Sequence, residues 1–308
     1  VHDGTAHVLA EEPGSAALAG ALAWTLRQGA ERLVLLADPS PVLADLARQA
    51  GWFRLPVAVR AVAGASSEPV SPAPLPEVLP GAASDELLDP MRLEQLEVVV
   101  EQGIVRGEVL GLEVARVVVW PTELGGDGAL HLEAGVGRFD RDAAAAMHQG
   151  ESPTAALARA VGMVRRHRHP GAPTHPLSLL ARERWLRAAV VADPALVGAS
   201  SLRPVETTVV RSSVRDPSPA AAVGTDLDGG ELVVVCGIGA DLDLVPVAAD
   251  TRALHAPGAR LVLALPARDR LPTTERLAAL VREPDGVAPT ALVSVPEPWG
   301  VADPAGPT

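Results

Sequence analysis

The chain has no lysine, no tyrosine and no asparagine, and a single cysteine among 308 residues. Each absence removes a class of chemistry. Without lysine there is no Schiff-base amine, no phosphate-loop lysine and no lysine general base. Without tyrosine there is no phenolic acid–base group. The one thiol, Cys236, excludes an intramolecular disulfide and a cysteine-based zinc cage. Its place at a buried strand end suits packing better than nucleophilic attack. No G-x-S-x-G nucleophile elbow occurs, which argues against a standard α/β-hydrolase. No apolar run approaches the roughly 18 residues that span a bilayer. The opening Val1-His2-Asp3-Gly4 lacks the layout of a secretory signal, so a cytoplasmic protein with no membrane association is expected.

What the chain does have is Ala, Val and Leu, which supply most of its 48% hydrophobic content, and a net charge of −12. That charge favours solubility and opposes indiscriminate nucleic-acid binding by the whole surface. All 26 basic side chains are arginine.

Periodicity predicts an α/β fold, with Rossmann-like βαβ units at both ends flanking an α+β central region. Residues 1–63 read as strand 7–10, helix 16–28, strand 32–37, helix 42–50 and strand 56–62. The run RLVLLA at 32–37 is continuously apolar, as for a strand covered on both faces. Residues 64–84, rich in Pro, Ser, Ala and Gly, read as a linker. The central region, 85–200, predicts a helix over 85–100, strands at 105–120 and 129–136, and helices at 141–148, 153–168 and 177–191. Residues 201–308 return to alternation: strand 232–236, helix 242–254, strand 260–265, helix 273–281, strand 290–295, then a frayed tail from 296. The segment from Ala30 to Ala37, its Pro-containing turn, helix and strand recur from Ala259 to Pro266 onward. An internal duplication accounts for this, and so does the similarity of any two buried βαβ units in an Ala/Val/Leu-rich chain.

Charge placement is the clearest anomaly. Arg159, Arg165, Arg166, Arg168, Arg182, Arg184 and Arg187 stand against one acid, Glu183, so this segment is +6 inside a −12 chain. Guanidinium forks suit phosphate oxygens, and the neighbouring Trp185 can stack on a base, so the seven arginines are a candidate anion-binding face. The alternative is that they pair with acids of the same chain. His167, His169 and His175, with His148 nearby, have the spacing of imidazole metal ligands, but Arg166 and Arg168 beside them would repel a dication.

Glu108, Glu113 and Glu133 lie on predicted strands, with a helix before them and another beginning near Asp140. Five residues separate Glu108 from Glu113, so on one regular strand they face opposite ways unless a bulge intervenes, for example at Gly111. The order of elements over residues 85–170 resembles the PD-(D/E)xK nuclease superfamily. The resemblance implies that Glu113 and Glu133 are catalytic and hold Mg²⁺ and a water against a phosphodiester. It departs where the usual Asp is Glu113 and where the lysine position is Gly135; a substitute such as Arg138 would have to activate the water. It therefore implies a nucleic-acid-associated protein with a degenerate, inactive nuclease-like centre as readily as an active enzyme. Solvent-facing hairpin positions account for the three glutamates equally.

The third feature is the loop Gly237-Ile238-Gly239-Ala240-Asp241-Leu242-Asp243 after the strand at 232–236. Gly237 and Gly239 at a strand-to-helix junction suit a nucleotide or other phosphorylated ligand. The third glycine of a dinucleotide fingerprint is missing. Asp241 and Asp243 suit N-capping, a ribose hydroxyl or Mg²⁺ better than a phosphate. The sequence thus supports three functions: nucleic-acid association, a nucleotide- or small-molecule-binding enzyme built on this loop, and a non-enzymatic partner-binding protein.

Overall fold

A computed structural model describes residues 1–137, 152–211 and 213–300. The fold is α/β, with three sheets. The first unit runs β1 (Thr5–Ala10), α1 (Ala17–Arg27), β2 (Arg32–Ala37), α2 (Val42–Ala50) and β3 (Val57–Ala63). Its three strands pair in parallel. β2 is not covered on both faces as its apolar run suggests: Leu33, Leu35 and Ala37 are buried, while Val34 and Leu36 are half-buried. The segment expected as a linker begins with a further strand, β4 (Ser66–Pro69), antiparallel to β3. Gly64, at φ +61°, makes that reversal possible.

The middle of the chain folds as α3 (Asp85–Leu93), β5 (Glu97–Glu101), β6 (Ile104–Val109), β7 (Leu112–Val119), β8 (Leu130–Ala134) and α4 (Pro153–His167). The four strands form an antiparallel meander. The helix expected over 85–100 stops at Leu93, because the β-branched run Val98-Val99-Val100 prefers a strand. The single strand expected over 105–120 is a hairpin, reversing at Leu110 and Gly111, both with positive φ. The helix expected over 177–191 is two, α5 (Pro176–Leu179) and α6 (Arg182–Ala192), divided at Ala181 with φ 43°. The helix expected at 141–148 lies outside the described residues.

The last sheet has the order β13-β12-β11-β10-β9. β9 (Ala199–Val205), β10 (Ala220–Asp226) and β11 (Glu231–Cys236) pair antiparallel. From β11 the chain passes through α7 (Leu244–His255), β12 (Arg260–Leu265) and α8 (Pro272–Ala278) to β13 (Ala291–Ser294), all parallel. Here the sheet is covered on both faces. Leu261, Leu263 and Leu265 lie in the core that α7 shares with the first unit, and Val262 and Ala264 lie in the core with α6.

The two ends share one core. α1 packs on α8 and α2 on α7, so Leu18, Leu22, Leu43 and Leu46 are buried together with Val245, Ala248 and Leu277. The packing is two-fold symmetric. Arg32 and Arg260 begin β2 and β12 and lie 228 positions apart (260 − 32). Phe53 bridges Val281 at the same offset (281 − 53). The Arg54 N–H donates to Leu280 O at 2.8 Å, and the Arg282 N–H returns a bond to Trp52 O at 2.7 Å. Equivalent residues therefore meet on the axis, and the sequence repeat is also a repeat in space. No helix among the described residues is long and apolar enough to cross a membrane.

Candidate functional site

Two places gather polar side chains: the layer between the meander and α6, and a cleft at the carboxyl ends of β11 and β12.

The first contains most of the residues singled out by charge. The hairpin at Gly111 sits directly on α6, where an added Cβ would lie 2.3 Å from the backbone of Arg184. The reversal makes Glu108 and Glu113 direct cross-strand partners rather than residues on opposite faces of one strand. Two carboxylates so placed repel unless compensated. Here Glu113 pairs with Arg106, and Glu108 pairs with Arg184 and, at 2.5 Å, with Arg187. Arg184 also reaches Glu101 at 2.5 Å, and Arg187 reaches Glu97 at 3.3 Å. Burial alone would push the Glu108 carboxyl up, but the two guanidiniums outweigh it and hold it down at about 2. Glu133 pairs separately with Arg116 at 2.9 Å and accepts from Trp120 Nε1 at 3.3 Å. Glu113 and Glu133 thus each have their own arginine, and no cluster of three metal-ligating side chains occurs among the described residues.

The seven arginines do not form one exposed face. Arg168, Arg184 and Arg187 are buried. Arg168 spends its donors on the carbonyls of Leu110, Leu177, Leu180 and Ala181, with its guanidinium 4.5 Å from the Trp185 ring centroid. Arg165 bonds Glu94 O at 2.5 Å, and Arg159 is half-buried on α4; Arg165 and Arg166 are exposed. Only Arg182 turns toward the cleft. Desolvation is the physical reason. A guanidinium inside this protein needs an acid or several carbonyls; the meander supplies the acids, and the α5–α6 junction with Leu110 supplies the carbonyls. Among the histidines, His167 and His175 stack with ring centroids 3.7 Å apart, and His175 Nδ1 accepts the Leu177 N–H. His148 and Arg138 lie outside the described residues.

The second place is the loop from Gly237 to Asp243. Gly237 serves packing, since a Cβ there would lie 2.9 Å from both terminal methyl carbons of Leu244. Gly239 takes φ +67°, a turn that favours glycine. Asp241 Oδ1 accepts the Asp243 N–H at 2.9 Å, closing a turn just before α7, while Asp243, the N-cap residue of that helix, makes no side-chain cap and its Oδ2 accepts from Ser15 Oγ at 2.9 Å. Burial pushes both carboxyls up.

Beside this loop opens a cleft of about 360 Å³. Ile238 and Gly239 come from the end of β11, Arg268 and Asp269 from the end of β12, Arg215 from the approach to β10, and Arg182 and Glu183 from the start of α6. Arg268 is braced by Glu297 at 3.1 Å, and Arg182 lies over the Trp299 ring at 4.9 Å. Burial pulls the Arg182 guanidinium down, and Arg268 nearby pulls the same way. Glu183 is 5% exposed; its carboxyl accepts its own backbone N–H and lies near the Arg211 and Arg184 guanidiniums, but no hydrogen bond or ion pair to another side chain is found among the described residues. Burial pushes its carboxyl up. A buried carboxyl raised by desolvation, opening into a cleft lined by three arginines and by Asp216 and Asp269, can accept a hydrogen bond or a proton from a bound molecule.

Glu183, Arg215 and Arg268 were not picked out by sequence reasoning. The one signal was that Glu183 is the only acid in the arginine-rich segment. Comparison with protein-family models, curated proteins and solved structures finds no match to this chain.

Proposed function

We propose that the chain is a small-molecule-binding protein whose ligand occupies the cleft beside the Gly237–Asp243 loop. The ligand carries an anionic group, carboxylate or phosphate, held by Arg182, Arg215 and Arg268, and a hydroxyl or ammonium that donates to Glu183. The observation that carries this reading is Glu183 itself, a buried carboxyl hydrogen-bonded to no other side chain, in a cleft lined by three arginines and by Asp216 and Asp269. Three further features support it. Ligands of open α/β sheets favour the crevice outside the carboxyl ends of the strands. The volume lies in the range of small-metabolite sites. The raised carboxyl of Glu183 suits a group that exchanges a proton with its ligand. A nucleic-acid role would rest on Arg165 and Arg166, the exposed members of the basic segment.

The test is isothermal titration of the wild-type chain with nucleoside phosphates, hydroxy acids and amino acids. Supporting this reading is binding weakened about tenfold or more by Arg182→Gln and by Glu183→Gln. Binding unchanged in both variants sinks it. Salt-sensitive binding of short oligonucleotides, lost in an Arg165→Ala/Arg166→Ala double variant, would instead favour nucleic-acid association.

A further inference from the structure

The two-fold relation between the end units identifies a second site. On one side of the axis, α2 packs on α7 and the contact is closed by a buried acid. Asp250, fully buried, accepts from Arg48 Nη2 at 3.1 Å, Trp52 Nε1 at 2.7 Å and Gln49 Nε2 at 3.1 Å. A second carboxylate, Asp45, pairs with Arg48 at 2.6 Å, and the segment carrying Pro74 covers the pair.

On the other side α1 packs on α8, and the offset of 228 names each counterpart. Arg48 corresponds to Arg276 (276 − 48), Asp250 to Leu22 (250 − 22), and Asp45 to Thr273 (273 − 45). The arginine is kept while both of its carboxylates are gone. Leu22 fills the place of Asp250 as a fully buried core residue, and beside Thr273, the counterpart of Asp45, opens a cleft of about 270 Å³ walled by Trp24 and Arg27 of α1 and by Thr273 and Arg276 of α8. Neither Arg27 nor Arg276 has a hydrogen-bond or ion-pair partner found among the described residues, and the nearby Glu275 is taken by Arg270 at 2.5 Å.

We infer that this cleft binds an external anion, a carboxylate or a phosphate, in the role that Asp45 plays toward Arg48 on the symmetric side. Two exposed arginines line it, the Thr273 hydroxyl can donate, and Trp24 offers an apolar wall for the rest of the molecule. The site is separate from the cleft at Glu183 and does not depend on it.

The experiment is calorimetric titration of the full chain with citrate and, separately, with inorganic pyrophosphate. Wild type and Arg268→Gln, which alters only the other cleft, are expected to bind alike at this site. Arg276→Gln should weaken binding about tenfold. Thr273→Asp, which restores the carboxylate carried at position 45 and places an acid in the first turn of α8, should do the same without unfolding the chain. Circular dichroism and the melting temperature establish that each variant is folded. Affinity for both anions unchanged in Arg276→Gln and Thr273→Asp, or no binding of either anion by wild type, overturns the inference. Loss in Arg268→Gln alone also overturns it, because the anion then occupies the first cleft.

Discussion

The Ser15 hydroxyl donates to Asp243 Oδ2 at 2.9 Å, and the two residues hold the same place in the two halves of the chain, 228 positions apart (243 − 15). The loop that borders the Glu183 cleft is therefore tied to the N-terminal half. Asp243 Oδ1 is buried with no partner found, so Ser15 is the side chain that steadies this carboxylate. Ser15→Ala is expected to cost about 1 kcal/mol in urea unfolding at neutral pH and to weaken ligand binding at the Glu183 cleft. Unchanged stability and affinity would show that the loop is held by its backbone alone.

Glu108 joins the meander to α6. Glu108→Gln leaves Arg184 and Arg187 short of a buried counter-charge and should destabilise the chain by about 3 kcal/mol. The pH dependence has a definite sign. The folded carboxyl is held at about 2, below its unfolded value, so its contribution is present above roughly pH 4.3 and is lost as the pH falls toward 2. Urea midpoints of wild type and Glu108→Gln should converge over that window. Parallel profiles would contradict the pairing.

Glu183 has the opposite sign. Its folded carboxyl is raised by burial, so the protonated form favours the fold at low pH and that advantage is lost as the pH rises through the folded pKa. Glu183→Gln cannot ionise. It should be about 1 kcal/mol more stable than wild type at pH 7, with the difference vanishing below pH 4, while ligand binding is impaired. A variant that is less stable at pH 7 would mean that the carboxylate has a structural partner.

Cys236 is fully buried, and burial pushes its thiol up to about 12 although Arg187 pulls the other way. Ellman's reagent at pH 8 should find no reactive thiol in the native chain and one after unfolding in guanidinium. Rapid native labelling would place the end of β11 in contact with solvent.

Gly111→Ala adds a Cβ 2.3 Å from the Arg184 backbone at φ +76°, so the hairpin must lift off α6. The expected loss is about 3 kcal/mol, with the urea midpoint as readout. A loss below about 1 kcal/mol would mean the hairpin is not seated there.

Local pattern alone determined the βαβ elements of both ends, but not the antiparallel strands β4, β9 and β10, which it left as linker or loop. Val42–Ala50 and Arg260–Leu265 lie where periodicity and their Pro and Gly neighbours put them, and the repeat of RLVLLA in RLVLAL is visible in the sequence. So was the removal of lysine, tyrosine and disulfide chemistry. These depend on residues a few positions apart or on composition. Which arginines are free was decided only by tertiary structure. Arg184 and Arg187 read as an anion-binding face until Glu97, Glu101 and Glu108 close over them from strands about 80 positions away, because a charge is available only if folding leaves it in water. The same holds for the cleft. Glu183, Arg215, Gly239 and Arg268 come from four separate segments and share no local pattern. Their chemistry arises from the desolvation and proximity that packing imposes.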